Sequence, residues 1–132
     1  MYIWEKHLDY SEFLLKNCHQ INKQFEETIF RTIIHNDYYA CFHKIKELNE
    51  VYNLITPDGG NNSHNNIIIK VREYDVELSL REKNSIIQRV NLLKDYRRKA
   101  DYERGNDFLY TETMVTMIHG QAKEVFKQLN SL

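Results

Sequence analysis

EETIFRTIIHNDYYACFHKIKELNEVY, residues 26–52, decides the fold. Its apolar residues Phe30, Ile34, Tyr38, Cys41, Ile45, Leu48 and Tyr52 recur at steps of four and three, the spacing of a helix buried along one stripe. A helix of that length needs partners of its own kind, and the flanking segments supply them. From about Ser11 to Gln24, Phe13, Leu14, Cys18 and Ile21 form a shorter stripe, with Ser11 placed to cap it. After a loop punctuated by Pro57, Gly59 and Gly60, Ser63 can cap a helix through Ile67, Ile68, Val71 and Tyr74, although the β-branched run 67–69 also permits a short strand. Ser79-Leu80-Arg81-Glu82 has the form of a capping box and opens a pattern of Ile86, Val90, Leu93 and Ala100. Glu103 to Tyr110 reads as a connection. Thr111 then opens a last helix with Met114, Ile118, Ala122, Val125 and Leu129 on its stripe and Gly120 as a point of close helix approach. The expectation is an all-α protein, an antiparallel four- to five-helix up-and-down bundle, with residues 1–132 forming one domain.

Composition narrows the function classes. With 132 residues and 42% hydrophobic content, the chain can bury one core without disulfide or metal staples. No apolar run is long enough to span a bilayer, and the N-terminus lacks a basic segment followed by an apolar one, so a cytoplasmic location is expected. The formal net charge of −1 excludes a general DNA-coating protein but leaves room for a local basic patch. Cys18 and Cys41 lie in helical patterns without CxxC or His-paired spacing, as buried thiols do. Pairings such as His35 with Asp37, or His43 with Glu47, complete no coordination sphere, so no metal is expected, and no Walker loop, GxGxxG or GxSxG motif points to another cofactor.

The densest group of reactive side chains is Arg97, Arg98, Lys99, Asp101 and Tyr102, at the end of the fourth helix. Arginine forks suit a polyanion such as RNA phosphate. The i, i+4 pairs Arg97/Asp101 and Arg98/Tyr102 share faces, and spacing alone also fits cations set against a helix C-terminus. On the second helix, Arg31, His35, Tyr39 and His43 recur every four residues and form a polar flank beside the apolar stripe. The aromatics Tyr96, Tyr102, Phe108 and Tyr110 surround the basic cluster as base-stacking platforms would, and core packing explains some of them equally well.

Two segments resemble the HEPN (higher eukaryotes and prokaryotes nucleotide-binding) family. Tyr38-Tyr39-Ala40-Cys41-Phe42-His43 is similar to that family's Tyr-Tyr-Ala-x-Phe-His, and Leu93-x-x-x-Arg97-x-x-Ala100-Asp101-Tyr102 to its Leu-x-x-x-Arg-x-x-Ala-Asp-Tyr. Gly59-Gly60 with Ser63-His64 is similar to the Gly-rich loop and histidine between them. The resemblance implies a HEPN-like bundle, homodimerisation across the motif helices, an RNA or nucleotide ligand, and a toxin–antitoxin or antiviral defence setting. Active members cleave RNA without metal. The 2′-hydroxyl attacks the adjacent phosphate, a histidine moves protons and an arginine stabilises the phosphorane.

Carried over, the arginine falls on Arg97 and the histidine position on Tyr102, with Asp101 between them. Tyrosine titrates about three to four units above histidine, so only about one molecule in a thousand would hold it as phenolate at neutral pH. The resemblance therefore leaves three readings. One is a ribonuclease whose base is His43, His35 or His64 and whose phosphate is gathered by Arg31, Arg98, Lys99 and His64. The second is a catalytically inactive module that binds RNA, a nucleotide or a cognate protein such as a nucleotidyltransferase. The third is a helical interaction subunit whose basic cluster only caps a helix.

Overall fold

The computed structural model describes residues 3–54, 63–102 and 110–132. The expected glycine-rich loop, and the expected connection from Glu103 through Leu109, lie outside them. The chain forms α1 (Glu5–Asn17), α2 (Glu26–Val51), α3 (His64–Ile69), α4 (Leu80–Tyr102) and α5 (Glu112–Asn130), with 3-10 turns at Cys18–Gln20, Lys23–Phe25 and Lys70–Glu73. It is an all-α bundle. No strand occurs among the described residues, and among them no helix is long and apolar enough to cross a membrane.

Cross-helix contacts fix the directions. Trp4 meets His43 while Ser11 donates to the Ile33 carbonyl, so α1 runs against α2. Tyr38 meets Arg97 and His35 meets Asp101, so α4 also opposes α2. Asp37 meets His119 and Cys41 meets the Ala122 carbonyl, which sets α5 parallel to α2. The four long helices thus alternate up and down.

Three helix starts follow their capping residues. Ser63 accepts from the Asn66 amide, Ser79 from the Glu82 amide and Thr111 from the Met114 amide, each satisfying a donor that the first turn leaves unpaired. The run 67–69 is helical up to Ile69, where a 3-10 turn takes over. A helix this short is marginal alone. Buried Asn49 holds it, donating to the Ile67 carbonyl and accepting from the Tyr74 hydroxyl at 2.6 Å. At the end of α2, Asn53 takes φ 56° while its amide and that of Leu54 bond back to Glu50 and Asn49, a Schellman closure with asparagine in glycine's usual place.

Three expectations need correction. The first helix starts at Glu5, so Ser11 is a buried residue inside it and Phe13 is 58% exposed. The true start carries no side-chain cap, which leaves no sequence mark there. The second helix buries more than one stripe: Ile29, Ile33, Asp37 and Ala40 are covered as well, because α1, α3, α4 and α5 all pack on it. Gly120 makes no close approach, since a Cβ added there would meet nothing within 4 Å.

Within the core lies a polar pair that the periodicity conceals. Asp37 is fully buried and His119 is 4% exposed, with the His119 Nδ1 at 3.0 Å from the Asp37 carboxylate. Burial pushes the Asp37 carboxyl above its ordinary range, against the opposing pull of His119 and Ser11. Asp37→Ala should therefore lower unfolding free energy by about 3–5 kcal/mol in denaturant titration, because it strands buried partners. A loss near that of a surface substitution would contradict it. Gly120→Ala should instead raise stability by about 0.5–1 kcal/mol, since it adds a helix former in open space. A drop in melting temperature would show an unseen contact.

Candidate RNA-binding site

Four turns of α2 and the last turns of α4 converge beside the N-terminal end of α3. Arg97 sits at the centre, 8% exposed, with its guanidinium carbon 5.2 Å from the Tyr38 ring centroid and 5.3 Å from that of Tyr39. These distances are within cation–π range, and both rings come from adjacent residues of the Tyr-Tyr-Ala segment. Arg97 donates to Asp101 at 3.4 Å, one turn on. Its buried Nε has no hydrogen-bond partner among the described residues, an unusual condition for a guanidinium. Burial opposes the charge on Arg97, but Tyr39 and Asp101 outweigh it and hold the group above its ordinary pKa.

Two histidines flank this arginine. His35 approaches Asp101 through Nδ1 at 3.0 and 3.1 Å from the two carboxylate oxygens. A carboxylate only accepts, so Nδ1 carries the proton and Nε2 is left as the basic nitrogen. The His35 side chain is 46% exposed and therefore accessible. On the other side, the Nδ1 of His64 is 2.6 Å from the Tyr38 hydroxyl, and its ring stacks on Phe42 at 4.2 Å. Burial first, then the charges of Arg97, Lys94 and Lys46, hold the His64 pKa below its ordinary value, which keeps the ring neutral at pH 7. Lys94 is turned toward this end by its bond to Asn65 on α3.

The remaining sequence candidates are placed differently. Tyr102 is 70% exposed, with its ring centroid 5.9 Å from the Arg97 guanidinium carbon. His43 stacks on Trp4 at 4.0 Å, and burial with Lys46, His7 and His64 lowers its pKa. Arg31 is engaged as a tie between helices: it donates to the Ala100 carbonyl at the end of α4 and to Glu27, 2.9 Å away on its own helix. A helix leaves its last carbonyls unpaired, and a guanidinium there satisfies one of them. Arg98 and Lys99 lie on the exposed side of α4. A separate groove lies between α1 and α5, lined by Leu8, Gly120, Lys123 and Phe126 among others. None of its residues belongs to the Arg97 cluster.

Sequence reasoning named Arg97, Asp101 and His64 and weighed His35, but it overlooked the Tyr38–His64 bond, because the loop between those residues conceals their distance in space. His119 went unnoticed, although its place beside Ile118 and Ala122 on the α5 stripe marks it as buried.

The chain matches no family model, no curated protein and no solved structure.

The electrostatic link between the flanking groups is directly measurable. Lys94→Gln should raise the His64 pKa in an NMR titration, because removing a neighbouring cation lowers the cost of the imidazolium. An unchanged His64 titration would break that link.

Proposed function

We propose that this chain is a HEPN-type, RNA-targeting protein of the cytoplasm that holds an RNA phosphate at Arg97. The observation that carries this reading is the Arg97 cluster itself: a buried guanidinium with an unbonded Nε, cradled by two tyrosine rings and flanked by two histidines. Such a group has more donors than its protein partners use. A phosphate oxygen is a matching acceptor.

In this reading His35 takes the place of the family's proton-transfer histidine. It abstracts the 2′-hydroxyl proton through Nε2, the 2′-oxygen attacks the adjacent phosphorus, and Arg97 stabilises the charge on the phosphorane. The 5′-oxygen leaves with the proton that His35 took up, giving a 2′,3′-cyclic phosphate and a 5′-hydroxyl end. Asp101 acts by positioning, since its carboxylate fixes the His35 tautomer. No metal enters these steps. Exposed Leu92 and Tyr102 on α4 support a homodimer across the motif helices.

A second reading is supported by Tyr102 itself. With tyrosine where active HEPN members keep histidine, the same cluster would bind RNA, a nucleotide or a cognate nucleotidyltransferase without turnover.

Binding and turnover separate these readings. Wild type should bind single-stranded RNA, and Arg97→Ala should weaken binding and flatten its log–log salt dependence by about 0.7 of a unit. Because Arg97 is buried, circular dichroism should verify folding, and Arg97→Lys should keep the charge but lose the fork. His35→Ala should abolish EDTA-resistant cleavage while sparing binding, and Tyr102→His should raise it. Unchanged RNA affinity in folded Arg97→Ala would reject the site. Binding without any cleavage, in wild type and Tyr102→His alike, would select the inactive module.

A further inference from the structure

Two side chains after the end of α1 meet a third at the start of α5, all three of ligand type. The 3-10 turn at Cys18–Gln20 ends α1, turning Cys18 inward to 6% exposure while His19 stays out. Thr111 caps α5 and thereby sets Glu112 in its first turn. The His19 Nε2 lies 2.8 Å from a Glu112 carboxylate oxygen, and one ligand atom from each of Cys18, His19 and Glu112 falls within 4.8 Å of the other two.

We propose that Cys18, His19 and Glu112 bind a divalent ion of the zinc class. The donor set decides the class: thiolate, imidazole and carboxylate together suit Zn²⁺, whereas magnesium and calcium select oxygen ligands. Zinc bonds run about 2.3 Å to sulfur and about 2.0–2.2 Å to nitrogen or oxygen, so tetrahedral donors stand roughly 3.3–3.6 Å apart. Reaching that spacing needs the His19–Glu112 pair, at 2.8 Å, to open by about 0.5–0.8 Å and any pair at the 4.8 Å limit to close by about 1.2–1.5 Å. His19 and Glu112 have exposed side chains free to make such shifts.

A surface ion pair explains only part of the arrangement. Exposed pairs of this kind contribute little to stability, and nothing in that pairing calls for a thiol beside it. The charge of Glu26, in the first turn of α2, also bears on Cys18. A fourth ligand would come from its carboxylate or from water. Bound there, the ion would join the end of α1 to the starts of α2 and α5. The site shares no residue with the Arg97 cluster and stands or falls without it.

Cobalt substitution reads the site directly. Adding Co²⁺ to the reduced full chain should give visible ligand-field bands and a near-ultraviolet thiolate-to-cobalt band that saturate at one ion per chain and vanish when Zn²⁺ is added. Cys18→Ser should remove the thiolate band, and Cys41→Ser, which alters the other thiol, should leave it. His19→Ala and Glu112→Gln, at exposed positions that leave the core intact, should each weaken Co²⁺ binding at least about tenfold. Absence of the thiolate band in folded wild type would overturn the proposal. So would a band that survives Cys18→Ser, or affinity unchanged in both His19→Ala and Glu112→Gln.

Discussion

Everything in this bundle is referred to α2, because that helix has almost no face left to solvent along its middle. Ile33, Tyr38, Ala40, Cys41 and Ile45 are all completely or almost completely covered. A helix enclosed in this way must satisfy its polar side chains internally, since no water reaches them. Asp37 does so with His119, and Tyr38 does so with His64. The first bond joins α2 to α5 and the second joins it to α3. Both the rigidity of the core and the placement of the candidate site therefore follow from where polar atoms on one enclosed helix find partners.

The same constraint explains what the sequence reveals and what it conceals. The stripe Phe30, Ile34, Tyr38, Cys41, Ile45 and Leu48 is visible because apolar residues at helical spacing have one common cause. Ser63, Ser79 and Thr111 are visible because a cap is local: the residue and the amide it serves are three positions apart. Asp37 is invisible for the opposite reason. Its partner is on α5, and a carboxylate in a helix normally signals the solvent face. Ser11 misleads in the same manner, since a serine before an apolar run looks like a cap until the preceding turn proves helical. The site divides along this line. Arg97 and Asp101 are legible as an i, i+4 pair, whereas the choice of His35 over His43 depends on how two helices are rotated against each other. His35 falls opposite Asp101, and His43, two turns further along, falls opposite Trp4. Periodicity places both on one flank but cannot rank them.

Charge at the site is arranged in opposition. On one side, Asp101 is shared between Arg97 and His35. On the other, His64 is surrounded by cations and kept neutral. A helix C-terminus capped by cations would need neither histidine, and its cation is already supplied by Arg31 at the Ala100 carbonyl. That assignment releases Arg97 from a capping duty and removes the simplest structural reason for its presence.

The pairing of Asp101 with His35 also bears on whether Arg97 can accept a phosphate at all. A carboxylate beside a guanidinium competes with any incoming anion, and a tight bidentate Arg–Asp pair would close the site. Here the contact is a single one at 3.4 Å, whereas the Asp101 oxygens stand 3.0 and 3.1 Å from His35. The carboxylate is thus held more closely by the histidine than by the arginine, and the rest of the guanidinium keeps its donors. Burial between Tyr38 and Tyr39 limits how far the side chain can swing, so an anion must come to Arg97 rather than be fetched by it. In a chain of net charge −1 there is no broad positive field to draw a polyanion in. Recognition under the proposed reading would then rest on fit at one fixed arginine, with affinity set by the side chains around it and only weakly by overall charge.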